Sequence, residues 1–180
     1  MELIKILAEA YGPSGREDIV RGIIKSEIKH YCHDIRTDTL GNIIAHKPAS
    51  TKRTKAKKIM FCAHMDEIGV IVKHIDKRGF LRFTEVGGVF PEKILHHRVI
   101  FENGLLGTVG VETKSDTPKP CRLERMYIDI GARNQPEAEK MVKIGDIAAF
   151  YQKSVLLNGR FSSKALDDRI GCYCLIEALK

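Results

Sequence analysis

The sequence lacks any apolar run long enough to cross a membrane, since no window approaches the roughly 18 consecutive apolar residues that a spanning helix needs. Its first fifteen residues, MELIKILAEAYGPSG, have an acid at position 2 and no long apolar stretch, so we expect no signal peptide. No serine lies in a G-x-S-x-G context, and the glycine pair of VGGVF lacks the helix of a phosphate-binding loop. Serine hydrolase and phosphate-loop chemistry therefore have no support.

Cysteines are few and show no paired spacing. The five are scattered along the chain, at Cys32, Cys62, Cys121, Cys172 and Cys174. An odd number without paired spacing argues against a disulfide framework and predicts a reducing cytoplasmic location. The last two lie two positions apart on a predicted helix and do not face one another, so we interpret them as packing residues.

An excess of basic residues gives the chain a net charge of +7, from 30 lysines and arginines and 23 acids. Much of this excess lies in KPASTKRTKAKK, from Lys47 to Lys58. This segment has no aromatic side chain on which a base could stack. We interpret it as a solvated hairpin connection and expect neither a nucleic-acid partner nor a membrane partner.

The start of the chain predicts two helices followed by three strands. The helices are ELIKILAEA and REDIVRGIIKSEIKH, with Ser14 as a candidate N-cap of the second. DIRTDTLGNIIAHK predicts two strands around Leu40-Gly41-Asn42. The segment from Lys58 to His64 is apolar on both alternating faces, which predicts a buried strand.

The residue pattern changes after Gly69, and the new pattern predicts a separate β region that extends to about Leu157. Short strands alternate with glycine-containing turns, and one helix, NQPEAEKMVK, has Asn134 as its cap. The predicted strands are VIVKHID, FLRFTEV, HRVIFE, LLGTVGVE, RMYIDIG and DIAAFYQ. The pattern favours a small antiparallel barrel or sandwich inserted into an α/β domain. We therefore predict an α/β domain over 1–69 and 158–180, and a β-barrel domain over 70–157.

Two clusters of polar residues carry the candidate chemistry. At the end of the predicted buried strand, His64 could bind a metal while Asp66 holds its other ring nitrogen, or the two could be surface polar residues at a strand end. Asp167 and Asp168 precede a helix and could cap it, or one carboxylate could bridge two divalent ions. Zinc, cobalt and manganese all suit such a mixed set of ligands.

The order of five motifs resembles the metallopeptidase family M42, the glutamyl- and leucyl-type aminopeptidases that include the tetrahedral aminopeptidases. AHMDEIG is followed by SKALDDRIG, which places Asp167 103 positions after His64. GPSGRE, TDTLGNIIA and MYIDIGARNQPEAEKMVKIGD also resemble the family's N-terminal half. The resemblance extends from about Leu3 to Lys180, nearly the whole chain.

This resemblance implies a zinc-peptidase-like catalytic domain, interrupted by a PDZ-like barrel that serves dimerisation and access. It implies two divalent ions (zinc or cobalt, with manganese also possible), a bridging water as nucleophile, short peptides as substrates, and a homo-oligomer of two to twelve subunits. His64 would be a metal ligand and Asp66, counted with the catalytic residues, would orient its ring. Asp167 would bridge both metals, and Asp168 would shape the loop, often through a cis bond between the two aspartates.

Two further elements of the family pattern are absent from this sequence. Relatives have a Glu-Glu pair after the bridging aspartate, followed by a further aspartate and histidine. The acid that follows Asp168 in this sequence is Glu177. We assign the role of general base neither to Glu177 nor to Glu67. We therefore expect no general base and no meaningful peptidase activity from these 180 residues alone. Two alternatives stay open: a non-catalytic assembly module, and a glycosidase using Asp66 and Asp167.

Overall fold

A computed structural model describes residues 1–49, 57–112 and 122–180. Within it the chain divides into two compact units. The helical unit comprises Met1–Gly12, Glu17–Asp66 and Ser154–Lys180. The barrel unit comprises Pro13–Arg16 and Glu67–Lys153. Most of the predicted basic connection, residues 50–56, lies outside the described residues, as do residues 113–121.

The secondary structure is a mixture of short strands and helices, and in the described ranges no helix has the length and apolar character to span a membrane. The elements in chain order are α1 (Glu2–Glu9), α2 (Asp18–Ile28), β1 (Asp34–Thr37), β2 (Ile43–His46), β3 (Gly69–Ile75), β4 (Leu81–Val86), α3 (Pro91–Ile94), β5 (Arg98–Phe101), β6 (Leu106–Val111), a 3-10 turn (Leu123–Arg125), β7 (Met126–Asp129), α4 (Gln135–Met141), β8 (Ile147–Phe150), β9 (Val155–Leu157), β10 (Arg160–Ser162) and α5 (Leu166–Leu179).

A closed antiparallel barrel forms the barrel unit, with strands in the order β3-β4-β7-β6-β5-β8. The six strands predicted from the alternating patterns are confirmed, and so is the barrel. The ring closes where Gly69 of β3 pairs with Ala149 of β8. Helix α4 begins as predicted, because Asn134 Oδ1 accepts the Glu137 N–H at 3.0 Å. Closure leaves no free sheet edge in this barrel.

Alternation along each barrel strand places every second side chain in the interior. In β4, Leu81 and Phe83 are fully buried, and the residues that alternate with them are partly exposed. They pack in one apolar cluster with side chains of the other strands, including Met126 and Ile128 of β7. The barrel unit therefore has a continuous hydrophobic core of its own.

Helices α1, α2 and α5 form the centre of the helical unit. Their apolar faces meet in a smaller cluster of buried residues, namely Leu7, Val20, Ile28 and Ile176. Helix α1 buries Ile4, Leu7 and Ala8 on one face, as its amphipathic sequence predicts. Helix α2 begins at Asp18 with Glu17 at the cap position and no side-chain cap bond, so the prediction of Ser14 as N-cap was wrong.

Two separate two-stranded sheets complete the helical unit. The predicted hairpin is confirmed, because β1 and β2 pair antiparallel around the turn that contains Leu40 and Asn42. Asp38 shapes that turn, since its Oδ1 accepts the N–H groups of both residues, at 3.0 and 2.9 Å. The second sheet, β9 with β10, was not predicted from sequence.

The prediction of a buried strand from Lys58 to His64 was wrong. No strand of the described residues includes this segment, and none pairs with it. Its apolar side chains face solvent, with Ile59 74%, Met60 88% and Phe61 72% exposed. Cys62 is exposed as well. A strand needs a neighbour for its backbone N–H and C=O groups, and apolar composition alone does not supply one.

Candidate metal centre

His64 lies between two carboxylates within the helical unit. Its Nδ1 is 2.9 Å from Asp66 Oδ1, and its Nε2 is 3.1 Å from Asp167 Oδ1. The two motifs that sequence analysis singled out are therefore adjacent in space although 103 positions separate them. His64, Asp66 and Asp167 are open to solvent, with side-chain exposures of 56%, 36% and 96%.

These carboxylates change the acid-base behaviour of the imidazole. Burial lowers the pKa of His64, but the hydrogen bonds and charges of Asp167 and Asp66 outweigh it, so the pKa lies above its ordinary value. A ring with one nitrogen held by a carboxylate has a fixed orientation and a more basic second nitrogen. By bonding Nδ1, Asp66 orients the ring so that Nε2 faces Asp167.

A sharp turn at the start of α5 carries the two aspartates. Asp167 and Asp168 have non-helical backbone angles, and the peptide bond between them is cis. Asp168 Oδ1 accepts the Gly171 N–H at 3.1 Å. A Cβ at position 171 would collide with the Asp168 carboxylate, so a larger residue there would displace the carboxylate from this bond. Asp168 thus shapes the turn by capping the helix that follows it.

Cys172 also contacts the centre, through the backbone of His64. Its Sγ lies 3.3 Å from the His64 carbonyl oxygen, to which the thiol donates. Burial raises the pKa of the Cys172 thiol to about 11, so the sulfur keeps its proton at neutral pH. The packing interpretation is right for the buried Cys172 and wrong for Cys174, which is exposed.

The donors fit part of a divalent metal centre. Imidazole nitrogen and carboxylate oxygen suit zinc, cobalt and manganese, and the ring of His64 is oriented as a ligand requires. In residues 1–49, 57–112 and 122–180, however, no group of three or more His, Cys, Asp or Glu residues is arranged to hold an ion. Catalytic zinc takes three protein ligands. Glu177, the last acid of the chain, pairs with Lys180 at 2.9 Å.

Comparison with known proteins identifies the family. The model of the M42 glutamyl aminopeptidase family matches residues 41–180, and the chain therefore belongs to this peptidase family. A curated protein of Acetivibrio thermocellus, provisionally named an aminopeptidase, is 48% identical over 99% of the chain. The chain spans about half the length of the curated relatives it matches, 53% in that case.

Several solved structures are similar to nearly the whole chain. An aminopeptidase from Desulfurococcus kamchatkensis is 37% identical with a TM-score of 0.91, and covers 99% of this chain and 50% of its own. The TET1 peptidase of Pyrococcus horikoshii, described as assembling into a tetrahedron or an octahedral shell, has a TM-score of 0.87 at 35% identity over 99% of this chain and 55% of its own. A Thermotoga maritima structure described as an endoglucanase has a TM-score of 0.86 at 40% identity, over 98% and 53%.

Proposed function

We propose that this chain contributes part of the metal centre of an aminopeptidase that removes N-terminal residues from short peptides. The observation that carries the proposal is His64 placed between Asp66 and Asp167. Family membership supports the reaction class. Because the chain spans about half of its relatives' length, the activity is proposed for the protein that includes the remaining ligands.

Each of the clustered side chains has one role in this proposal. Nε2 of His64 is a metal ligand, and Asp66 holds Nδ1 and fixes the tautomer. Asp167, with two carboxylate oxygens, would be the carboxylate shared by two ions, while Asp168 keeps the turn in shape. When bound, two divalent ions (zinc or cobalt, or manganese) polarise the peptide carbonyl and lower the pKa of a water that acts as nucleophile. No described residue is assigned as general base, so the chain alone is expected to be inactive.

The two segments of the chain have different roles in this proposal. Residues 1–69 and 158–180 belong to the α/β catalytic domain, and residues 70–157 form the inserted barrel that serves dimerisation and access. The multi-subunit assembly described for the Pyrococcus horikoshii peptidase supports a homo-oligomer. The scattered, odd-numbered cysteines of the sequence support a cytoplasmic location.

Metal content tests the proposed site directly. The protein is exchanged into zinc or cobalt, dialysed, and analysed for metal per chain. We expect a bound ion that is lost in His64→Ala and in Asp167→Ala, because each variant removes one of two ligands. The matched controls are His74→Ala and Asp129→Ala, which alter the same residue types in the barrel unit. Variants that retain the ion would contradict the assignment, and a wild-type chain that retains no ion would favour a non-catalytic assembly module.

A non-catalytic assembly module is the second candidate. It is favoured by the fact that the described residues hold no cluster of three metal ligands. This function predicts a stable oligomer with no bound metal, so sedimentation and metal analysis of one sample distinguish the two. The endoglucanase description of the Thermotoga relative raises a glycosidase, for which Asp66 and Asp167 would flank a sugar bond. Both carboxylates bond the same imidazole, which favours the metal centre.

A further inference from the structure

We propose that Arg169 is a positioning residue that fixes the Asp167–Asp168 turn against the C-terminal end of α1. The inference rests on the proposed function, because it concerns how the chain holds the carboxylate of Asp167 in place for a metal. It assigns Arg169 no contact with metal or substrate.

The guanidinium of Arg169 is fully buried and bonded to backbone oxygens. Nη1 donates to the carbonyl of Leu7 at 2.5 Å and to that of Ala10 at 3.4 Å. Nη2 donates to the carbonyl of Gly12 at 3.4 Å. The side chain has 0% exposure, which is exceptional for arginine. Its burial therefore has a specific structural reason.

That reason is the end of helix α1, which finishes at Glu9. The last carbonyls of a helix have no partner within the helix, and they form the negative end of its dipole. A planar cation with several donors can satisfy more than one such carbonyl at once, whereas an ammonium group cannot do so in the same geometry. Arg169 thus connects the start of α5 to the end of α1 through hydrogen bonds from one guanidinium to several backbone carbonyls.

Gly12 provides the space that this arrangement needs. A Cβ at position 12 would lie 2.8 Å from Nη2 of Arg169 and 2.7 Å from Cγ2 of Val20. Val20 is fully buried and belongs to the core of the helical unit, so it has little room to move. A side chain at position 12 would therefore push the guanidinium away from the Gly12 carbonyl. This gives a second, independent way to disturb the contact.

The backbone links the anchored guanidinium to Asp167. The Arg169 N–H donates to the Ala165 carbonyl at 3.2 Å, which closes a turn that contains Asp167. The side chain of Asp167 is 96% exposed, so packing of its own atoms does little to restrain it. Its position next to His64 is therefore set mainly by the turn, and Arg169 holds that turn in place.

The test compares Arg169→Met, Arg169→Lys and Gly12→Ala with wild type. Zinc affinity is measured by calorimetry, and amide exchange is measured by NMR at Gly171, whose N–H donates to Asp168. The control is Ile176→Val, which creates a small cavity at a buried position of the same helix, away from the turn. We expect Arg169→Met and Gly12→Ala to weaken zinc binding by tenfold or more and to speed Gly171 exchange about tenfold. Arg169→Lys should be intermediate, and Ile176→Val should match wild type.

Three outcomes overturn the inference: Arg169→Met with wild-type zinc affinity, Gly171 exchange unchanged in that variant, or exchange that rises equally throughout the helical unit. The last would mean that Arg169 only stabilises the fold. If wild type binds no zinc, the proposed function fails for this chain, and the Gly171 exchange alone decides the inference. If Arg169→Met does not fold, Arg169→Lys and Gly12→Ala decide it by the same two measurements.

Discussion

The two units of the chain differ in how completely they satisfy their own backbone and apolar surface. In the barrel unit, every strand of the closed ring has a partner on both sides, and a continuous core fills the interior. The helical unit has two isolated two-stranded sheets and an apolar segment, Ile59 to Phe61, that faces solvent. A sheet that closes on itself needs nothing outside its own strands, whereas a segment with strand-like composition depends on a neighbour.

The largest expected effect tests whether the barrel core carries the stability of its unit. Phe83 is fully buried in β4, so Phe83→Ala removes a large side chain from a packed interior. We expect a loss of about 3–5 kcal/mol in the free energy of unfolding. Urea unfolding followed by far-UV circular dichroism measures it.

A matched control exists on the surface of the same unit. Phe90 is 60% exposed, and Nζ of Lys93 lies 4.8 Å from the centre of its ring. Phe90→Ala should change stability by no more than about 0.5 kcal/mol. Equal losses at the two positions would mean that the interior of the barrel does not form a packed core, and the contrast between the two units would then fail.

A smaller effect comes from Asp76, which shapes the turn between β3 and β4. Its Oδ1 accepts the N–H groups of Arg78 and Phe80, at 2.9 and 3.1 Å. Burial raises the pKa of Asp76, but these bonds and the charge of Arg78 outweigh it and hold the pKa below its ordinary value. The ionised form therefore stabilises the fold above the unfolded-state pKa, about 3.9, and this contribution is lost as pH falls through the lower folded-state pKa.

Asp76→Ala should accordingly cost about 1–2 kcal/mol at pH 7. Urea unfolding at several pH values down to 3 measures the difference from wild type, which should narrow below about pH 4. Asp129→Ala is the control, since the exposed Asp129 accepts the Gly131 N–H at 2.8 Å in another turn of the barrel unit, and its loss should cost less. If the stability difference between wild type and Asp76→Ala widened as pH fell, the pKa of Asp76 would be raised on folding and not lowered.

The smallest effect on stability is expected in the helical unit, at its exposed apolar segment. Met60→Ser and Phe61→Ser remove side chains that are 88% and 72% exposed, so stability should change by no more than about 0.5 kcal/mol. Self-association should nevertheless fall, because contiguous exposed apolar groups promote it. Sedimentation velocity measures this, with Phe90→Ser in the barrel unit as control. A loss of 2 kcal/mol or more would indicate that the segment is buried.

Sequence reasoning was most successful where the structure depends on local pattern. Alternation of apolar side chains with glycine at the turns located all the strands of the barrel, and Asn134 marked the start of α4. The same reasoning failed for Lys58 to His64, since apolar composition cannot show whether a partner strand exists. It also missed α3 and the β9–β10 pair, because such short elements carry little periodicity.

The candidate site was predictable in part. The family resemblance singled out His64, Asp66 and Asp167, and the structure brings these three together. Arg169 lies next to the two aspartates in the sequence and could offset their charge, but its guanidinium instead bonds the backbone carbonyls of Leu7, Ala10 and Gly12. Nothing in the local sequence marks these carbonyls, or that of His64 for Cys172, as partners. Their contacts join positions more than 100 residues apart, and a single sequence carries no signal of that kind.

The closure of the barrel has a consequence for how the chain assembles its site. Contact between His64 and Asp167 closes a loop of 103 positions. Pairing of Gly69 with Ala149 closes most of this loop within the barrel. Once the barrel has formed, four residues between His64 and Gly69 and seventeen residues between Ala149 and Asp167 still separate the two side chains along the chain, so the loop shortens from 103 to about 23 positions. Loop length then falls by slightly more than two halvings, which lowers the entropic cost of joining the ends by about 1.3 kcal/mol. The inserted barrel thus reduces the entropic cost of bringing His64 and Asp167 together, because it shortens the loop that their contact closes.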